Sequence, residues 1–160
     1  MRRLRAAEVV AGLAGVVLLA TLPMTWFDVE VGNLMATGLA TTGWEGLGWA
    51  MVAALVLSAL LALALCLAIV AGRSDSPGLM AGIALAVTSV PTLLALVIVL
   101  LARPGLGVGL PRGAVGLAPA AWAGLIAMAA VAAGSIASLH NERTTGADRR
   151  YTPPAPRPAP

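Results

Sequence analysis

The residues able to do acid–base, nucleophilic or metal chemistry are few in this chain, and they are scattered. In 160 residues there is one cysteine, Cys66, and one histidine, His140. A lone thiol forms no internal disulfide and gives no redox compartment. It also excludes a quinone-linked disulfide oxidoreductase of four-helix type, which needs cysteine pairs. A haem held between helices calls for two axial histidines within the membrane, and the single His140 sits at the edge of an apolar block. No nucleophile–base pair or metal-binding cluster emerges from the pattern. The sequence therefore predicts a non-enzyme with no cofactor, no metal and no catalytic residue.

Four polar features remain. Thr88, Ser89, Pro91 and Thr92 fall in the middle of an apolar run. Pro91 cannot donate to the carbonyl of Val87, so a helix there is free to kink, and the hydroxyls of Thr88 and Ser89 can satisfy freed backbone groups. They form a candidate hinge, although no membrane-buried charge accompanies them to couple an ion or a proton. Glu8 invites comparison with small multidrug exporters that carry a glutamate in the first span. Its position three residues from Arg5, at the end of the run, favours solvation at the interface or pairing with Arg5. Two connecting loops differ in charge: Asp28, Glu30 and Glu45 mark the first, Arg103 and Arg112 the second. Pairing between them would tie the loops together, at about 0–1 kcal/mol per exposed pair. The segment Phe27-Asp28-Val29-Glu30-Val31 alternates apolar with polar residues and predicts a short strand.

The elements that must position these groups follow from composition. Hydrophobic residues make up 59% of the chain and charged residues only 11%, against about a quarter charged in globular proteins. The apolar residues come in uncharged blocks of about 20 to 25, long enough to cross a hydrocarbon core of about 30 Å as helices. The predicted fold is all-α, a bundle of four transmembrane helices spanning residues 6–27, 46–72, 79–102 and 117–139, with a short β segment in the first outer loop. Residues 1–139 form the membrane domain. The turn Ser74-Asp75-Ser76-Pro77-Gly78 separates the second and third spans. Residues 140–160 form a polar tail with five prolines in its last eight residues, predicted to be disordered with polyproline character.

All ten basic residues are arginine, and the Ala, Gly, Leu and Val bias is that of a high-GC bacterial source. The net charge of +3 does not indicate nucleic-acid binding, because the arginines sit at the ends of apolar spans. Eight of the ten (Arg2, Arg3, Arg5, Arg73, Arg143, Arg149, Arg150 and Arg157) fall on one side of a four-span topology. That excess places both termini in the cytoplasm. Trp26, Trp44, Trp49 and Trp122, with Phe27, then gather at the outer boundary as interface anchors. The stretch Thr21-Leu22-Pro23-Met24-Thr25-Trp26 lacks a small-x-small cleavage pattern, so the first span is read as retained. Small residues at helical spacing, Ala11 and Gly15 in the first span and Ala130, Gly134 and Ser138 in the last, allow close helix packing within the bundle or between copies.

The run Leu22-Pro23-Met24-Thr25-Trp26-Phe27, the element Gly43-Trp44-Glu45, and Gly134 with the exit Ser138-Leu139-His140-Asn141-Glu142 resemble a group of small four-helix membrane proteins from actinobacteria. That resemblance covers most of the chain and implies the bundle, with no established activity to carry over. Trp44 and Gly46-Leu47-Gly48-Trp49 are also similar, in architecture only, to claudin-type four-helix proteins, whose paired loop cysteines this chain lacks. The predicted role is a structural or accessory subunit of an inner-membrane assembly, with the lipid bilayer and a homo-oligomer or membrane-protein partner as its contacts. The alternative is a small transporter or channel working through the hinge at Pro91.

Overall fold

The computed structural model describes residues 6–31, 34–35, 40–70, 75–103 and 115–147. Four long helices form its body: α1 (Ala6–Thr21), α3 (Trp49–Val70), α4 (Asp75–Ala102) and α5 (Pro119–Ala147), with a four-residue helix α2 (Gly43–Gly46) ahead of α3. α1 packs against α5 and α3, and α4 closes the ring between α3 and α5. Four strands, β1 (Thr25–Val31), β2 (Leu34–Met35), β3 (Thr41–Thr42) and β4 (Val115–Leu117), lie at one end of this body, referred to below as the sheet end.

Among the described residues three helices contain segments long and apolar enough to cross a membrane: Trp49–Ala68, Met80–Ala102 and Pro119–His140, of 20, 23 and 22 residues. At about 1.5 Å per residue they match a hydrocarbon core of about 30 Å. Their outward faces carry large apolar side chains, among them Leu57, Leu60, Leu67, Val87, Leu94, Ile98 and Ile126, all exposed. Such continuous apolar surface is rare on a protein solvated by water; the chain is a membrane-embedded protein by its surface as well as by its helix lengths.

α1 is shorter than predicted. The apolar run reaches Phe27, but the helix ends at Thr21 after 16 residues, about 24 Å. Leu22 precedes Pro23 and is steered away from helical backbone. The following Thr25–Val31, rich in β-branched and aromatic residues, is a strand instead of helix. The other boundaries shift as well. α3 begins at Trp49, not at residue 46, because Gly48 adopts φ +74° and separates it from α2. The turn expected at residues 74–78 is partly helix: α4 starts at Asp75 and carries Pro77 in its first turn, where the missing N–H has no helical acceptor to lose. α5 opens on Pro119 for the same reason and continues through His140 to Ala147, so the predicted tail is helical for its first eight residues. α4 is unbroken through Pro91 and ends at Ala102, where Arg103 takes left-handed backbone (φ +49°) to stop it.

The strand predicted at residues 27–31 is present and is the centre of the sheet. β1 pairs antiparallel with β2 through Glu30↔Met35 and Val31↔Leu34. Phe27 faces Thr41 of β3 on one side and Leu117 of β4 on the other, so β1 runs between them. The ladder with β3 shifts register between Thr25 and Phe27. Sequence reading missed β3 and β4, which are too short to show a two-residue period.

Candidate functional site: the sheet end and the hydroxyl cluster

The chain reverses immediately after α1, and the reversal is built around one carbonyl. The Thr21 carbonyl accepts the Met24 backbone N–H at 3.0 Å and the Trp26 indole N–H at 2.7 Å. Thr21 Oγ1 donates back to the Leu18 carbonyl at 2.8 Å. Trp26 is thereby turned into the protein and has no exposed surface. Its ring lies on the bare backbone of Gly124 in α5, and Gly43 of α2 is so close that a methyl group there would stand 2.9 Å from the indole nitrogen. The Trp26 carbonyl accepts from Ala118 N–H at 2.9 Å, and the Met24 carbonyl from Gly43 N–H at 3.3 Å. One residue thus joins α1, α2, α5 and the sheet. Trp26 was predicted as an interface anchor alongside the other tryptophans. The structure corrects this: the bulged strand directs its side chain onto glycines of two helices, an arrangement only the tertiary fold reveals.

Phe27, next in the strand, is equally enclosed and packs on Gly46 of α2. Together with Leu18, Leu22, Leu47, Val52, Leu55, Leu96, Leu100, Val115 and Met128 these two aromatics form the larger apolar core cluster, in the half of the body nearest the sheet. A smaller cluster, around Leu65, Leu85 and Val131, fills the other half. Trp44, Trp49 and Trp122 differ from Trp26: all three are exposed, Trp49 by 84%.

Asp28 is half-buried in β1 with its carboxylate against Gly116 of β4. Glu45 is exposed on α2, and Arg103 is exposed at the exit of α4. Glu30 lies in β1; Arg112 lies outside the described residues. The two loops are therefore tied together by backbone, through β1 and β4, a linkage the charge argument did not foresee. Glu8 is buried, 7% exposed, which speaks against free solvation. Arg5 lies outside the described residues.

Thr41 Oγ1, in β3, is buried and has no hydrogen-bond partner among the described residues. Replacing it with the near-isosteric valine removes an unsatisfied hydroxyl, and Thr41→Val is expected to raise stability by about 1 kcal/mol. Unfolding in mixed micelles measures it.

Of the candidate hinge residues Ser89 meets α5, and the hydroxyls of Thr88 and Thr92 are committed to α4 itself. Thr88 Oγ1 donates to the Ala84 and Leu85 carbonyls at 2.9 and 3.1 Å, and Thr92 Oγ1 to the Thr88 carbonyl at 2.7 Å. The latter reinforces the turn adjoining the Val87 carbonyl that Pro91 deprives of a donor. Ser89 Oγ lies 3.4 Å from Ser135 Oγ across the α4–α5 contact, both fully buried. Ser135 already donates to the Ala132 carbonyl at 2.7 Å, which makes Ser89 the donor of the pair. A double-mutant cycle with Ser89→Ala and Ser135→Ala is expected to give a coupling of about 0.6 kcal/mol, the average for such bonds between membrane helices. A coupling indistinguishable from zero refutes a cross-helix bond. Pro91 itself is exposed on the outside of the helix.

Among the described residues no three His, Cys, Asp or Glu side chains gather at one point. Cys66 is half-buried against Gly12. A wholly apolar crevice of about 380 Å³ opens between α1 and α5. The geometry thus offers two things: an apolar interior in which Thr21, Ser58, Thr88, Thr92 and Ser135 donate their hydroxyls to helix carbonyls, and a firmly mounted sheet. Comparison with protein-family models, with curated proteins and with solved structures gives no match.

Proposed function

We propose that the protein crosses the membrane four times, with both termini in the cytoplasm, and serves as a structural or accessory subunit of a membrane assembly. The observation that carries the reading is the mounting of the sheet. Segments from two connections distant in sequence form one sheet, and Trp26 fixes that sheet to the helix ends. A surface held this rigidly loses little freedom when another protein docks, and Trp44, Glu45 and Trp49 stand exposed beside it. The four-span topology draws support from α1 packing between α3 and α5, and the orientation from the sequence, in which a four-span topology puts eight of the ten arginines on one side. Trp44, Trp49 and Trp122 would then sit at headgroup level on the outer side.

Purification of the tagged chain from native membranes in mild detergent tests the role. A stoichiometric membrane-protein partner or a homo-oligomer is expected; a monomer that carries nothing with it overturns the reading. Topology is tested separately in a Cys66→Ala background. An impermeant thiol reagent applied to intact cells should label Glu45→Cys and leave Ala147→Cys unlabelled.

The transporter or channel reading draws on the hydroxyl cluster around Pro91 and its contact with Ser135. It requires water to reach Thr88 or Thr92. Because Thr92 is buried and both hydroxyls are bonded to carbonyls of α4, Thr88→Cys and Thr92→Cys are expected to stay unreactive toward aqueous thiol reagents. Rapid labelling at either position favours transport over the assembly role.

A further inference from the structure

We draw no further inference here: the strongest candidate, the open apolar crevice between α1 and α5 lined by Ala14, Val17, Ala123, Ile126, Ala127 and Ala130, carries nothing because no feature of the structure shows what covers it.

Discussion

Trp26→Ala is expected to destabilise the protein by about 3–5 kcal/mol, the range for removing a fully buried indole. The cavity would open where α1, α2, α5 and the sheet meet, and the surrounding glycines have no side chains with which to fill it. The Ala118 and Gly43 backbone bonds that flank the residue would lose their support as well. Trp26→Phe separates the two contributions. It keeps most of the apolar contact and gives up the N–H donated to Thr21, while the Thr21 carbonyl retains the Met24 N–H. Its expected cost is smaller, about 1–2 kcal/mol. Trp49→Ala serves as the control, since Trp49 is 84% exposed and supports no packing beneath it; its effect should stay near 0.5 kcal/mol. Reversible unfolding in mixed micelles, followed by circular dichroism, reads all three. Equal stability for Trp26→Ala and Trp49→Ala would mean that the sheet is not docked on the helices.

Gly134→Leu should be comparably damaging for the opposite reason, too much volume. At this crossing α1 and α5 approach so closely that even one methyl group on Gly134 would stand 2.8 Å from Ala11 Cβ and 2.9 Å from the Ala7 carbonyl oxygen. The second contact is with backbone, which cannot rotate away, so the helices must separate. Overpacking costs typically about 1–3 kcal/mol and occasionally more, and close approach through small residues is a main source of helix association in lipid. Ala133→Leu, one position earlier but exposed, should be almost neutral. If both substitutions have the same small effect, the α1–α5 crossing is looser than the structure indicates. Gly134→Ala should fall between them.

How much of this was legible in the sequence depended on the range over which each signal acts. The long apolar blocks of α3, α4 and α5 needed no partner to be recognised, because hydrocarbon solvent selects helix by itself. The end of α1 was harder. Hydropathy alone carries the first block on to Phe27, and the competing signals, Leu22 before Pro23 and the alternation after Thr25, act over only a few residues. The central strand was visible through that alternation; Val115-Gly116-Leu117 was not, since its strand character comes from pairing with β1. Trp26 illustrates the limit most clearly. An indole near the end of a membrane helix reads identically whether it faces lipid or protein, and what decides is Gly124, far along the chain. Thr88 and Ser89 were legible as hydroxyls able to satisfy α4 backbone; Thr88 does so, but Thr92 takes the second role while Ser89 meets Ser135, which depended on how α5 returns.

The pairing of Phe27 with Leu117 also dictates an order of events during synthesis. β1 leaves the ribosome early, directly after α1, while β4 and the Gly124 surface arrive only with the last helix. Until then the Trp26 indole has no glycine bed in α5, and one edge of β1 has no partner. Long-range strand pairing is slow to form because the loop between its ends must close first. Docking of the sheet therefore waits for the start of α5, as the α1–α5 crossing at Gly134 waits for its middle. A nascent chain arrested before α5 would present an unpaired strand edge and a bare aromatic ring to whatever folding factors attend it.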